Sequence, residues 1–176
     1  RAYLRQFMLK WISENPKPDG EKYNLYLDGL TIYTTLDSRM QTYAENAVKE
    51  HMSNLQDAFF EQNTPKWNPT APFLDLTEKE IERLMEQAMR RSERWRKMKL
   101  AGKTEDDIKA SFEEKTAMKI FSWKGEIDTV MRPIDSIRHY KHFFRSGMMS
   151  MDPQTGHVKA WVGGINYKHF QFDHVY

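Results

Sequence analysis

The sequence predicts an α+β chain in which helices are joined to short antiparallel β-hairpins. Three observations carry that expectation. Apolar residues recur at helical spacing in several separate stretches. Two stretches of the last third fold back about turn signals, Lys124-Gly125 and Asp152-Pro153-Gln154-Thr155-Gly156. Five Trp, eight Tyr and ten Phe supply a core, although 30% of the 176 residues are charged and mean hydropathy is −0.80.

Taken in order, Tyr3, Leu4, Phe7, Met8, Trp11 and Ile12 predict a helix over Arg1 to Asn15. Pro16 to Gly20 ends it, because proline lacks the N–H that a helix interior needs. Gly29 to Thr35 is dense in β-branched and aromatic residues and predicts a strand. Asp37 is the expected N-cap of a long helix whose stripe runs through Met40, Tyr43, Ala44, Ala47, Val48, Leu55 and Phe59. Three prolines make Asn63 to Pro72 irregular.

Thr77 with Glu80 forms a capping box for a helix reaching Gly102, its apolar stripe Ile81, Leu84, Met85, Ala88, Trp95 and Met98. Acidic residues crowd its start and basic ones its end, as the helix dipole favours. Thr104 with Asp107 opens a second, short helix carrying Ile108 and Phe112, so Leu76 to Lys115 reads as a charged helical hairpin. Met118 to Trp123 and Glu126 to Met131 predict a β-hairpin, with Gly125 at positive φ. Pro133 opens a helix through Ile134, Ile137, Tyr140, Phe143 and Phe144. Met148 to Met151 and His157 to Val162 form a second hairpin before Gly163-Gly164.

Composition excludes several functions. With no cysteine there is no disulfide framework, thiol nucleophile or zinc–thiolate site. The 27 basic and 25 acidic residues nearly cancel, to +2 with a pI of about 8.7, which is no polyanion-binding signature. No apolar run approaches a membrane span, and Arg1 in the first position reads as a chain beginning inside a longer one.

Candidate chemistry is weighed against plainer roles. His139 and His142 have metal-ligand spacing on a helix, but no third ligand stands beside them, and no metal or cofactor is expected. His157, His169 and His174 read as turn or surface residues. The run Arg90 to Lys99 with Trp95 could stack on nucleic acid, yet the preceding acids cancel its field and it reads as a solvated helix end. Glu105, Asp106 and Asp107 suit a helix start. No serine has a lysine three residues later, and no nucleophile elbow, Walker loop or dinucleotide fingerprint is present. No catalytic residue is assigned.

Two stretches carry a resemblance. Asp28 to Asp37 with Met40-Gln41, and Met149 to Gly164, are similar to segments of class A (bifunctional) penicillin-binding proteins. The first resembles the strand and helix that follow the glycosyltransferase domain. The second resembles the first hairpin of the transpeptidase domain, a turn of Asp-Pro-x-Thr-Gly and a strand ending in Val-Gly-Gly. The residues that carry it are Asp152, Pro153, Thr155, Gly156, Gly163 and Gly164, a structural motif with no catalytic or substrate-binding role assigned.

The resemblance implies an incomplete N-terminal part of the transpeptidase fold. It would comprise a linker helix over 1–24, a strand and helix over 25–62, a Pro-rich loop and helical-hairpin insertion over 63–117, and two hairpins with a helix over 118–176. It leaves 76–115 uncovered, as an insertion. It implies that the nucleophilic Ser-x-x-Lys would follow a segment such as Asn166 to Tyr176 and that the glycosyltransferase glutamates would precede Arg1. The parent would polymerise lipid II and crosslink stem peptides through an acyl-serine. An N-terminal anchor would hold it on the outer side of the cytoplasmic membrane, and the fragment itself would be soluble. Implied partners are the parent's two catalytic domains, peptidoglycan or lipid II through the parent, and an envelope protein at the helical insertion; nucleic acid is not among them. The alternative is a non-enzymatic interaction module of the envelope. In isolation the hairpin 148–162 is expected to pack on the helix 133–145, pair with another copy, or fray. The stripe of 76–115 is expected to pack on the helix 37–59 or await a partner.

Overall fold

The computed structural model describes residues 2–64 and 66–175. Arg1 at the head of the expected first helix, Pro65 among the three loop prolines and Tyr176 at the end of the expected connecting segment lie outside the described residues. The fold is α+β, with six helices and two small antiparallel two-stranded sheets among the described residues. Residues 1–35 and 36–176 form two compact units.

In the first unit, α1 (Ala2–Glu14) buries Met8 and Ile12, one helical turn apart. Trp11 packs against Tyr23 with ring centroids 5.8 Å apart, Arg5 Nε donates to the Tyr26 hydroxyl at 2.9 Å, and Lys17 pairs with Asp28 at 2.8 Å. The expected strand at 29–35 does not form. Its backbone joins no ladder, and most of its side chains, including Tyr33 at 92% exposure, face solvent. β propensity alone does not make a strand where no second strand lies alongside to form a ladder.

The second unit opens with α2 (Ser38–Gln62), capped by Asp37, whose carboxylate accepts the N–H groups of Arg39 and Met40 at 2.9 and 3.1 Å. Its buried stripe is Ala44, Val48, Met52 and Gln56, one residue every turn; Met40, Tyr43 and Leu55 are exposed instead. The helix expected over 77–101 is two helices, α3 (Glu78–Arg90) and α4 (Glu93–Leu100). Ser92 makes the break. Its extended backbone lets Oγ donate to the Met89 carbonyl at 2.7 Å and accept the Trp95 N–H at 3.2 Å, capping both ends at once. Capping boxes at Thr77/Glu80 and Thr104/Asp107 open α3 and α5 (Glu105–Glu113) as expected.

β1 (Thr116–Ile120) and β2 (Ile127–Met131) pair antiparallel from Thr116↔Met131 to Ile120↔Ile127, with Gly125 at φ +123° in the turn. α6 (Pro133–Lys141) follows, shorter than expected, leaving Phe143 and Phe144 beyond its end. β3 (Met148–Met151) and β4 (Val158–Val162) form the second hairpin, with a register irregularity at Ser150/Met151.

Two of the expected packing partners are corrected. The last hairpin packs on α2: Ala160 and Val162 join Ala44, Val48 and Met52, with Trp123, Phe144 and Ile165 against them. The stripe of 76–115 packs on α6, where Ile134 and Ile137 meet Met89, Trp95, Ile108 and Phe112 on one side and Phe73, Ile81 and Met85 on the other. Which apolar faces meet is a long-range property that local periodicity does not encode. Below α6, Phe121 packs edge to face on Phe143 and Phe170, both at 5.1 Å between centroids, and these two tilt against each other at 6.0 Å.

Candidate functional site

The motif residues of the second hairpin make a tightly specified turn. The Asp152 carboxylate accepts the N–H groups of Gln154 at 2.9 Å and Thr155 at 3.2 Å, bonds that hold it below the usual carboxylate range. The Asp152 N–H donates to the His157 carbonyl and its own carbonyl accepts the Gly156 N–H, both at 2.9 Å. Gly156 sits at φ +71°, where a β-carbon is disfavoured. Thr155 Oγ1 accepts the His157 N–H at 3.3 Å, and Pro153 occupies the exposed corner.

Gly163 is required by close approach. A β-carbon there would lie 2.8 Å from the Asp173 carboxylate, and the Gly163 carbonyl accepts the His174 N–H at 2.8 Å. Asp173 in turn accepts the Trp161 indole N–H at 2.9 Å and the Val175 N–H at 3.0 Å. Gly164 is less confined, since a β-carbon there would lie 3.5 Å from the Phe172 carbonyl oxygen. At Gly147, which no sequence signal singled out, a β-carbon would lie 2.7 Å from the His174 backbone.

The structure brings residues from the two motif stretches together. Asp37 donates its N–H to the Lys159 carbonyl at 2.9 Å. One turn later Gln41 grips Trp161 twice: Oε1 accepts its N–H at 2.8 Å and Nε2 donates to its carbonyl at 3.0 Å. A side-chain amide thus takes the place of a third strand along β4 and satisfies an edge that would otherwise be bare. Gln56, fully buried, repeats the device: Nε2 donates to the His142 carbonyl at 2.9 Å and Oε1 accepts the Phe144 N–H at 3.0 Å. Gln56 escaped sequence reasoning, and Gln41 entered it only as a motif residue with no role, because a polar residue on a helix reads as surface; their spacing of three and four residues from the buried stripe was the available signal.

A polar chain pins the segment after the hairpin. Glu126 accepts from His169 Nε2 at 2.7 Å, and His169 Nδ1 lies 2.8 Å from the Tyr140 hydroxyl, which accepts the Phe121 N–H at 3.2 Å. This geometry fits the Nε2–H tautomer of His169, with Tyr140 donating to Nδ1. Burial pushes the Tyr140 hydroxyl above its ordinary range, so it stays a neutral donor, while bonds from Lys168 and His169 hold the Glu126 carboxyl low.

The remaining candidates resolve into structural roles. His139 Nε2 bonds the Phe121 carbonyl and His142 Nδ1 the Arg138 carbonyl, each at 2.9 Å. No group of three potential metal ligands occurs among the described residues. His157 is exposed, and His174 packs on Phe172. Arg90 pairs with Glu86 and Glu105, Lys99 with Glu105, and Arg96 and Lys97 with Glu93, so much of the basic run is spent on local acids. The hydroxyls of Ser13, Ser92, Ser111, Ser122 and Ser136 donate to nearby backbone carbonyls, an arrangement that anchors turns. The arrangement positions a chain.

Comparison with known proteins agrees with the motif resemblance. Residues 68–144 match the model of the penicillin-binding protein middle domain. The chain is thus similar to penicillin-binding proteins over α3 to α6, a match that ends before the hairpin β3–β4. Within that class the chain is similar to penicillin-binding protein 1A of Rickettsia bellii (strain RML369-C), 25% identical over 170 residues, 89% of this chain. It spans about one fifth of the length of that relative, 21%. No solved structure matches. The family-model match runs through 76–115, so these helices lie inside the resemblance, where an uncovered insertion was expected.

Proposed function

We propose that the chain is a non-catalytic, scaffolding stretch of a bifunctional peptidoglycan synthase of the cell envelope. Its second unit would carry the strands against which the transpeptidase's nucleophile-bearing helix packs. The observation that carries this is the double grip of Gln41 on Trp161, with Asp37 on Lys159, which ties the two family-like stretches into one site. The similarity to a penicillin-binding protein 1A supports it.

In this reading the whole protein polymerises lipid II and crosslinks peptides through an acyl-serine. It sits on the outer side of the cytoplasmic membrane through an N-terminal anchor. Residues 1–24 link from the glycosyltransferase domain, and 118–176 begin the transpeptidase domain. The partners are those catalytic domains, peptidoglycan or lipid II through them, and an envelope protein at 76–115. No helix described here is long and apolar enough to cross a membrane.

A fluorescent β-lactam tests the reading. Acylation needs an activated hydroxyl, and no serine here has a lysine three residues on, the Ser-x-x-Lys spacing. The 176-residue chain is expected to stay unlabelled on a denaturing gel, and the product of the complete gene to take one label per chain. A labelled 176-residue chain, or an unlabelled complete product, overturns it.

A further inference from the structure

Helices α3 and α5 both pack on α6, and a cleft of about 450 Å³ opens between them. Its walls and floor are apolar: Met85 and Met89 from α3, Ala110 from α5 and Ile134 from α6. Its rim is acidic. Glu82, Glu86 and Glu113 line it against a single cation, Lys109, which is spent on Glu86 at 3.2 Å. Arg90 and Arg132, the other partners of Glu86 and Glu113, do not line the cleft; Arg90 lies over the Trp95 ring at 4.8 Å and Arg132 forks onto Asp135. Glu82 has no ion-pair partner among the described residues.

We propose that this cleft is a docking site for a basic amphipathic helix of a partner protein, which seats an aliphatic side chain on the methionines and sets lysine or arginine beside Glu82 and Glu113. Two diverging helices over a third form a groove that a helix fills with side chains at i, i+3 and i+4. Unbranched thioether side chains adapt to the inserted group. Three carboxylates around an apolar floor favour a cationic flank and disfavour an acidic one. The proposal rests on the proposed function only for who the partner is; the chemistry of the cleft stands without it, and its test involves no β-lactam, so the two fail separately.

The test uses the 176-residue chain labelled at its methionine methyl carbons and two synthetic helical peptides of equal length, one of leucine and lysine, one of leucine and glutamate. The leucine–lysine peptide is expected to shift the Met85 and Met89 methyl signals saturably while Met148, Met149 and Met151 stay in place. The leucine–glutamate peptide is expected to do neither. Glu82→Lys, at an exposed position, should weaken binding roughly five- to tenfold. Ala110→Trp fills the cleft from an exposed position and should abolish the shifts, with circular dichroism and melting unchanged. The proposal is overturned if Met85 and Met89 do not move, if both peptides act alike, or if neither variant weakens binding. It is also overturned if the same signals move with protein concentration alone, which puts a second copy in the cleft.

Discussion

The helical region, α3 to α5 on one side of α6, and the hairpin region, β3–β4 on α2, are held together by different means. The first is closed by apolar side chains, with Ile108 and Phe112 at 0 and 2% exposure, and is wrapped in exposed ion pairs that add little each. The second has a thinner core, and its specificity lies in amide side chains that complete backbone hydrogen bonding, Gln41 along β4 and Gln56 at 142–144. Two strands alone are marginal in water; a helix carrying glutamines at the correct turns supplies what further strands would. α6 joins the regions, since Ile134 and Ile137 face the helices while Tyr140 reaches the Phe121–Phe143–Phe170 cluster.

The largest expected effect breaks the first region. Trp95 is 7% exposed, packs with Met89, Ile108 and Phe112, and carries Arg90 on its face. Trp95→Ala should cost about 3–5 kcal/mol, the range for removing a large buried aromatic. Urea unfolding measures it. Hydrogen exchange sharpens it: amides of α4 and α5 should exchange faster than those of β4. Equal acceleration in both would mean that the regions unfold as one.

The second effect breaks the hairpin region. Gln56→Leu keeps the volume but leaves the half-buried His142 carbonyl and Phe144 N–H without these partners. About 2–4 kcal/mol should be lost, because each unsatisfied group bears its own desolvation cost. A loss well under 1 kcal/mol would show that these groups find water or one another.

How much of this the sequence disclosed follows from range. Features set within a few residues were legible: the Asp37, Thr77 and Thr104 caps, the Gly125 turn, Pro133 opening α6 and the Asp152–Gly156 turn. Ser92 was missed although its cap is local, because a long apolar stripe continued across it. Features set by distant chain were not legible. The stretch 29–35 has strand residues and no ladder, and of two glutamines with surface character Gln41 is half-buried and Gln56 fully buried. Of the candidate site, the turn glycine Gly156 could be argued from sequence; the need for Gly163 could not, since it depends on Asp173 folding back.

Gln41→Leu is the third test, and it sharpens the claim that an amide replaces a strand. It removes two part-buried bonds to Trp161, which should cost about 1–2 kcal/mol at roughly 1 kcal/mol per bond. The effect should be local: the Trp161 amide should lose protection while its neighbours on β3 keep theirs. Unchanged protection at Trp161 would mean that packing of Ala160 and Val162 on α2 holds the edge without the amide.

The smallest effect is a pH dependence that separates the regions. Burial lowers the His142 pKa, with nearby His139 and Arg138 disfavouring the cation as well, while the bond to the Arg138 carbonyl opposes them. The neutral ring is therefore favoured in the folded chain. A group whose folded pKa lies below its unfolded value contributes stability above the unfolded value, about 6.5 for histidine, and loses it as pH falls from there toward the folded pKa. The junction of α2 with 142–144 should weaken in that window, whereas α3 to α5, whose depressed carboxyls Glu80, Glu86, Glu105 and Asp107 titrate in the acid range, should not. Glu126 and Asp152 likewise hold their contributions until the carboxylate range is reached. Hydrogen exchange at Phe144 and at Ile108, compared near pH 7 and near about 5.5 after correction for intrinsic rates, reads the difference. His142→Gln, which lacks the titrating ring, should flatten the dependence at Phe144. A dependence that survives this substitution would assign the window to another histidine.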